Sequence, residues 1–208
     1  MAGLFITFEG IDSSGKTTQA ELLVKALRER GYDVVFTHEP GGTEIAEKIR
    51  DLLLSEDNNR MTWLTELFLY MASRAQHTEE VINRSMEEDK IVVCDRYMDS
   101  TLAYQGYGRG LDRNLIHKLN HLSTRGLKPR LTFLIDLPPK AALERREGGD
   151  RLESETLEFH NRVREGYLEI AKDEPQRFRL IDGTRPVQEI AREILKVVEG
   201  HLRGKFNQ

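Results

Sequence analysis

The sequence predicts an α/β fold, a five-stranded parallel sheet with helices on both faces. Five short runs rich in apolar, β-branched and aromatic residues are typical of strands, at 4–9, 33–37, 91–95, 131–136 and 177–182. Several are continuously apolar, as expected for strands covered on both faces. Segments with helical spacing lie between them, and such an alternation indicates a parallel sheet. Ligands of such sheets bind beyond the carboxyl ends of the strands.

The helices are predicted from apolar residues spaced three and four apart. After the first strand, Leu23 and Leu27 follow this spacing, and Gly31 is the predicted C-cap. The same spacing predicts helices in TEIAEKIRDLLL, in a long segment around 61–88, in LDRNLIHKLNHLSTRG and in PVQEIAREILKVVEGHL.

The composition is that of a globular protein, with 38% hydrophobic residues, 32% charged residues and a net charge of −4 over 208 residues. Because no broad basic field exists, bulk binding to nucleic acid or to an acidic membrane is not expected. No apolar run approaches the roughly 18–20 residues that cross a bilayer, and the amino terminus does not resemble a signal peptide. The one cysteine, Cys94, is expected to be a buried strand residue. We therefore predict one cytoplasmic domain over residues 1–208.

Residues 10–18, GIDSSGKTT, have the spacing G-x-x-x-x-G-K-[ST] of a phosphate-binding loop. The loop follows a predicted strand and opens a predicted helix, which argues against a chance match in a helix cap. Its backbone N–H groups and the helix N-terminus suit phosphate oxygens. Lys16 would reach the β- and γ-phosphates, and Thr17 would bind Mg²⁺. The predicted ATP contacts in the loop are Gly10, Ile11, Asp12, Ser13, Ser14, Gly15, Lys16, Thr17 and Thr18.

A phosphate-binding loop alone does not separate a kinase from a switch GTPase or a motor. A guanine switch needs an N-K-x-D element, and no Asn-Lys pair occurs in this chain. A motor or transporter ATPase would be larger or carry an interaction domain. The interpretation that remains is a compact enzyme that transfers phosphate to a small acceptor. The alternative from another class is a non-catalytic nucleotide-binding module, against which the intact Lys16, Thr17, Asp95 and Arg96 argue.

The acceptor side is indicated by polar residues after the third strand and on two helices. Asp95 would face the Mg²⁺ shell or cap the next helix. Arg96 has a planar guanidinium that suits an acceptor phosphate, and a surface ion pair is the alternative. Tyr70 and Arg74 share a helix face, where the ring could stack on a flat base or pack in the core. The predicted residues on one face of another short helix are Thr101, Tyr104 and Gln105.

Five stretches together resemble the thymidylate kinase family: TFEGIDSSGKTTQ, HEPGGTEIAEKIR, ELFLYMASRAQH, DRYMDSTLAYQGYGRGL and GGDRLE. They are spread over residues 4–153, and the remaining helices and strand also fit that fold. The resemblance implies a P-loop nucleoside monophosphate kinase fold with a short lid, and phosphorylation of dTMP to dTDP with ATP and Mg²⁺. Another nucleoside or nucleotide monophosphate kinase on the same scaffold is the alternative. The family is usually a homodimer through packed helices, which the helix around 61–88 would suit.

The resemblance also implies roles on the acceptor side. Tyr70 stands where the family stacks a phenylalanine on thymine, and Arg74 resembles the residue that reads a thymine carbonyl. Tyr104 would pack on the deoxyribose and exclude a 2′-hydroxyl. Asp12 would accept a hydrogen bond from the 3′-hydroxyl, with an Asx-type turn within the loop as the alternative. The predicted dTMP contacts are Asp12, Glu39, Arg50, Tyr70, Arg74, Arg96, Thr101, Tyr104 and Gln105.

The family supplies its catalytic arginine either from the phosphate-binding loop or from the lid. The loop position is Ser13 here, so the lid, about 144–153, must supply the charge. Arg151 is the first choice and Arg146 the alternative, while Arg145 would stack on adenine against a wall at 182–186. By composition alone the lid could be a solvated loop. No general base is needed, because a phosphate monoester is mostly dianionic at pH 7. The predicted catalytic residues are Asp12, Lys16, Arg96 and Arg151.

Overall fold

The predicted five-stranded parallel sheet is confirmed in the computed structural model, which describes residues 3–145, 151–152 and 154–205. The strands are β1 (Leu4–Glu9), β2 (Val34–His38), β3 (Ile91–Asp95), β4 (Leu131–Asp136) and β5 (Phe178–Asp182). Their order in the sheet is β2-β3-β1-β4-β5, and every neighbouring pair is parallel. The second strand lies one residue later than predicted, and the fifth begins one residue later.

Helices connect the strands, as the apolar spacing predicts. They are α1 (Lys16–Glu29), α2 (Glu44–Leu54), α3 (Trp63–His77), α4 (Arg84–Glu87), α5 (Met98–Thr101), α6 (Arg113–Ser123), α7 (Pro139–Glu144), α8 (Leu157–Asp173) and α9 (Val187–Lys205). Thr43 caps α2 and Thr62 caps α3, since each threonine hydroxyl accepts a hydrogen bond from a first-turn N–H group. Gly31 follows α1 in the left-handed conformation, which satisfies the predicted C-cap.

Two helices change from α- to π-helical geometry. The long predicted helix is confirmed, because α3 continues through a π-helical segment (Thr78–Asn83) into α4. The second π-helical segment, Leu102–Gly108, continues α5. Thr101, Tyr104 and Gln105 therefore lie on one continuous helix, as predicted, but Tyr104 and Gln105 are in its π-helical part. A π turn bonds each N–H to the carbonyl five residues earlier, as Arg109 does to Tyr104.

The core lies on both faces of the sheet. On one face α1 and α9 pack through the fully buried Leu27 and Ile194. On the other face α8 packs through Phe159 and Val163. Cys94 is buried in β3, as predicted. Within the described residues no helix is both long and apolar enough to span a membrane.

The parallel register positions the site. Phe8 of β1 and Asp95 of β3 lie opposite each other, and the N–H of Glu39 bonds to the carbonyl of Asp95. The residues that follow β1, β2 and β3 therefore emerge at one edge of the sheet, where Gly10 and Arg96 meet.

Candidate active site

A cleft of about 390 Å³ opens at the carboxyl edge of the sheet. All the residues predicted to contact dTMP line it: Asp12, Glu39, Arg50, Tyr70, Arg74, Arg96, Thr101, Tyr104 and Gln105. Lys16, Thr17 and Asp95 also line it. The other lining residues were not predicted to contact a ligand: Phe36, His38, Pro40, Leu54, Tyr97, Ser100 and Leu152. Motifs far apart in sequence thus meet in one cavity, and their contacts with nucleotides stay predictions.

The phosphate-binding loop has the backbone that its glycines predict. Gly10 and Gly15 have φ values of 144° and 93°, and a Cβ on Gly10 would lie 2.6 Å from the carbonyl oxygen of Ile135. Ser13 adopts a φ of 58°, which is uncommon outside glycine. Ser14 Oγ is buried without a hydrogen-bond partner among the described residues. A buried hydroxyl left in this way suits a loop built to bind an oxygen-rich ligand.

Thr17 and Asp95 provide the oxygens of the candidate Mg²⁺ site. The Thr17 hydroxyl donates to Asp95 Oδ2, while Asp95 Oδ1 is buried and no described residue bonds to it. No group of three or more His, Cys, Asp or Glu residues that could hold a metal occurs in the described chain. Mg²⁺ needs no such group, because it keeps waters and binds phosphates with one or two protein oxygens. The donor set fits Mg²⁺.

Asp12 is bonded to the acceptor side of the cleft. Its Oδ1 accepts from Arg96 Nη2, and its Oδ2 accepts from the Tyr104 hydroxyl at 2.6 Å. Burial raises the pKa of Asp12, but the charges of Arg96 and Lys16 and the Tyr104 hydrogen bond outweigh it and hold the pKa below its usual range. The carboxylate therefore bonds to Arg96 and Tyr104 outside its own loop, while its Oδ1 also lies 3.8 Å from Lys16 Nζ within the loop. No Asx-type turn bond is seen in the described residues.

Arg96 is not a surface ion pair, because its side chain is only 14% exposed. Its Nη1 donates to the carbonyl of Gly10 at 2.9 Å and to the hydroxyls of Ser100 and Tyr167, each at 3.2 Å. The guanidinium carbon lies 5.1 Å from the centre of the Tyr104 ring. Arg96 also has a φ of 69°. Backbone strain at a non-glycine residue is typical of functional sites, so the strain supports a role for this arginine.

Glu9 is a buried carboxyl behind Arg96 to which the sequence analysis assigned no function. Its Oε1 accepts from the N–H of Tyr97 at 2.8 Å, and its Oε2 accepts from Ser100 at 2.6 Å and from Tyr167 at 3.0 Å. Burial and the charge of Asp99 raise the pKa of Glu9 to about 7, against the opposing effect of Ser100. The available signal was a carboxylate at the last position of a strand that is otherwise apolar apart from Thr7.

Arg74 lies at the end of the cleft where a base is predicted to bind, here called the base end, and is 1% exposed. Its Nε donates to Glu39 Oε2 at 2.7 Å, and its Nη2 donates to the carbonyl of Tyr97 at 3.0 Å. Its Nη1 donates to Thr101 at 2.9 Å and to Asn120 at 2.8 Å. Described residues thus take four of the five N–H groups of Arg74, which leaves one for a ligand.

His77 supports this end of the cleft from within the core. Its Nδ1 lies 2.9 Å from Glu39 Oε1, and its Nε2 lies 2.6 Å from the hydroxyl of Thr37. The chain of contacts therefore runs from Thr37 through His77 and Glu39 to Arg74. The sequence analysis missed His77 and Asn120, although His77 is within the quoted motif ELFLYMASRAQH.

Arg50 and Tyr70 lie on the helices beside the base end of the cleft. Arg50 Nη1 donates to the carbonyl of Pro40 at 2.7 Å. Tyr70 is partly exposed and lines the cleft, so it is not a core residue.

The lid arginines lie in different places. Arg145 Nη1 and Nη2 are each 3.4 Å from the carbonyl oxygen of Gly183, so Arg145 meets the predicted adenine wall. Arg151 donates to the carbonyl of Leu53 at 2.9 Å and pairs with Glu66 at 2.7 Å. It is not among the residues that line the cleft. Arg146, the alternative, lies outside the described residues, as do the rest of 146–150 and residue 153.

Comparison with known proteins identifies the family. The family model described as thymidylate kinase matches residues 8–194. The thymidylate kinase of Geotalea uraniireducens (strain Rf4) is 50% identical, covering 96% of this chain and 98% of that protein. The thymidylate kinase of Caldanaerobacter subterraneus subsp. tengcongensis is 47% identical, covering 98% and 99%. The crystal structure of thymidylate kinase from Ehrlichia chaffeensis has a TM-score of 0.78 at 40% identity, covering 95% and 99%. This chain therefore belongs to the thymidylate kinase family and has its P-loop kinase fold.

Proposed function

We propose that this chain phosphorylates dTMP to dTDP with ATP as the donor and Mg²⁺ as the metal ion. Membership of the thymidylate kinase family supports the reaction. The observation that carries it is the shared cleft, in which Lys16 and Thr17 of the phosphate-binding loop face Arg96 and Arg74. A non-catalytic nucleotide-binding module would not need both halves of that cleft.

The donor side would hold the phosphates of ATP. Lys16 would contact the β- and γ-phosphates, and Thr17 and Asp95 would hold Mg²⁺. When bound, Mg²⁺ neutralises charge on the phosphate oxygens. Arg145 would lie against adenine, since its guanidinium already contacts the backbone of Gly183.

On the acceptor side, dTMP would bind by replacing contacts that the side chains make with each other in the structure. The phosphate of dTMP would replace Asp12 as the main anionic partner of Arg96, with Arg50 as a second cation. Asp12 would then accept a hydrogen bond from the 3′-hydroxyl, while Tyr70 would stack on the base. Catalysis on this scheme is alignment together with charge neutralisation, because the acceptor arrives as a dianion.

The catalytic arginine is proposed to come from the lid, because Ser13 carries no charge. Arg151 stays the first choice. Since its guanidinium is paired with Glu66, this assignment requires Arg151 to exchange Glu66 for the transferring phosphate. An arginine at that place contributes about 10³–10⁵ to the rate of phosphoryl transfer in other enzymes.

We also propose that the protein is a cytoplasmic homodimer. Ile45 and Leu52 of α2 and Trp63, Leu64 and Phe68 of α3 are each about half exposed. Apolar side chains concentrated on two packed helices suit burial against a second copy of the chain. Light scattering should therefore report a dimer, and substitution of Phe68 by Glu should shift it toward the monomer.

The reaction is tested by incubating the protein with ATP, Mg²⁺ and dTMP and identifying the nucleotide products. We expect stoichiometric ADP and dTDP, and no turnover when Mg²⁺ is chelated. The control is Lys16→Ala, which should lose turnover while keeping the unfolding transition of the parent. ADP release without dTDP would contradict the proposal.

A further inference from the structure

Glu66 is a fully buried carboxylate on α3, below the base end of the cleft. Its Oε1 accepts from Gln105 Nε2 at 2.9 Å. Its Oε2 forms an ion pair with Arg151 Nη2 at 2.7 Å and accepts from Arg109 Nη2 at 3.3 Å. Arg109 in turn pairs with Glu155. Glu66 thus connects a cluster of charged side chains to Gln105, a neutral side chain that lines the cleft.

This cluster keeps Glu66 ionised. Burial raises the pKa of Glu66, but the Gln105 hydrogen bond and the charges of Arg109 and Arg151 lower it below its usual value. An ionised carboxylate can only accept hydrogen bonds. Gln105 must therefore turn its NH₂ group toward Glu66. The carbonyl oxygen of the Gln105 amide then remains to accept a hydrogen bond from another partner. In the described residues no protein donor bonds to that oxygen.

The base end of the cleft then offers an acceptor and a donor. Gln105 lines the cleft and contributes the acceptor, while Arg74 contributes its one remaining N–H group. Thr101 precedes Gln105 on the same helix, and its hydroxyl accepts from Arg74. A 4-oxo pyrimidine shows the complementary pattern, with N3–H as donor and O4 as acceptor. A 4-amino pyrimidine shows the opposite pattern, with N3 as acceptor and the amino group as donor.

We propose that Glu66 is a positioning residue that sets the preference for a 4-oxo over a 4-amino pyrimidine by fixing the orientation of the Gln105 amide. This inference rests on the proposed binding of dTMP in the cleft. A 4-amino pyrimidine would place an acceptor opposite the Gln105 oxygen and a donor opposite the Arg74 N–H group. Two such buried mismatches cost more free energy than a missing contact. The preference is therefore built into a residue that does not line the cleft.

The test compares dTMP with 5-methyl-dCMP, which differs from dTMP only at N3 and the 4-substituent. In Glu66→Gln the new side chain can donate as well as accept, so the Gln105 amide is free to turn. We expect the ratio of kcat/KM for dTMP over 5-methyl-dCMP to fall about tenfold or more, through opposite changes in KM. The matched control is Glu155→Gln, which removes a carboxylate from the same cluster without touching Gln105. It should leave the ratio unchanged.

A second variant guards against a folding defect. Glu66→Asp keeps the charge beside Arg109 and Arg151 but withdraws the carboxylate from Gln105, and it should lower the same ratio. Dissociation constants of the two nucleotides, measured by calorimetry, provide the ratio without turnover. An unchanged ratio in folded Glu66 variants, or an equal fall in Glu155→Gln, would overturn the proposal. If the parent protein fails to phosphorylate dTMP, the proposed reaction fails, and the two dissociation constants still decide the role of Glu66.

Discussion

Arg96 and Asp12 form an ion pair across the floor of the cleft, with Arg96 Nη2 donating to Asp12 Oδ1. Arg96, predicted to donate to the phosphate of dTMP, therefore donates to Asp12. Asp12, predicted to accept from the 3′-hydroxyl, therefore accepts from Arg96. Tyr104 joins the pair, since its hydroxyl donates to Asp12 and its ring lies under the guanidinium. The residues proposed to bind the phosphate and the sugar of dTMP are thus in direct contact with each other.

The first prediction concerns the 3′-hydroxyl. Asp12→Asn should reduce the preference for dTMP over 3′-deoxy-dTMP by about tenfold, because a charged acceptor is replaced by a neutral one. Steady-state kinetics with the two acceptors at saturating ATP measure this ratio. An unchanged ratio would mean that Asp12 serves only to hold Arg96.

The second prediction concerns the 2′-position. Tyr104→Ala should lower the ratio of kcat/KM for dTMP over its ribonucleotide counterpart, because the ring no longer fills the space of a 2′-hydroxyl. Tyr104→Phe keeps the ring and removes only the hydroxyl, which donates to Asp12 and accepts from Arg96, so it should preserve that ratio while weakening dTMP binding. Equal ratios in the parent and the alanine variant would remove this role from Tyr104.

The third prediction concerns stability against pH. The pKa of Glu9 is about 7 in the folded protein and 4.5 in an ordinary setting. As pH rises from about 4.5 to 7 the unfolded chain releases this proton first, so the contribution of Glu9 to the free energy of unfolding falls over that window and is level above it. Glu9→Gln removes the group that titrates. The free energy of unfolding of this variant should therefore rise relative to the parent across the window, by about 3 kcal/mol.

Urea unfolding of both proteins at several pH values between 4.5 and 8 measures the difference. Only its slope with pH matters, because the substitution also changes the hydrogen bonds to Ser100 and Tyr167 by a constant amount. A difference that does not vary with pH would show that folding does not raise the pKa of Glu9.

The fourth prediction concerns the lid. Arg151→Ala should lower kcat by about 10³-fold or more if Arg151 neutralises the transferring phosphate. A merely structural arginine would affect the free energy of unfolding through the lost pair with Glu66 and leave kcat near that of the parent. Arg162→Ala is the control, since Arg162 pairs with an exposed Glu158 and lies outside the cleft. A normal kcat in Arg151→Ala would move the catalytic role to another arginine.

Much of the fold and of the cleft follows from local sequence patterns. The strands were recognisable because parallel strands are buried on both faces, which makes them continuously apolar. Lys16, Arg96 and Arg74 could be placed because each lies in a short motif next to a strand or on a helix face. Parallel register then brings such motifs to one edge of the sheet, without knowledge of any side-chain contact.

The partners of these residues were not predictable in the same way. Glu66, Asn120 and His77 act through pairings across about 30–50 residues of chain, which no local spacing encodes. The π-helical geometry after Thr101 also went unpredicted, because apolar spacing does not distinguish it from an α-helix over so few residues. The pairing of Arg151 with Glu66 likewise depends on where the chain after α7 meets α3.

The central claim is that the cleft accepts dTMP. It is tested most directly by a coupled assay of ADP release with ATP and each of dTMP, dUMP, UMP, CMP, AMP and GMP. The account predicts the highest kcat/KM with dTMP and little turnover of AMP, GMP and CMP. Turnover of AMP or CMP without turnover of dTMP would contradict it and indicate another monophosphate kinase on the same fold.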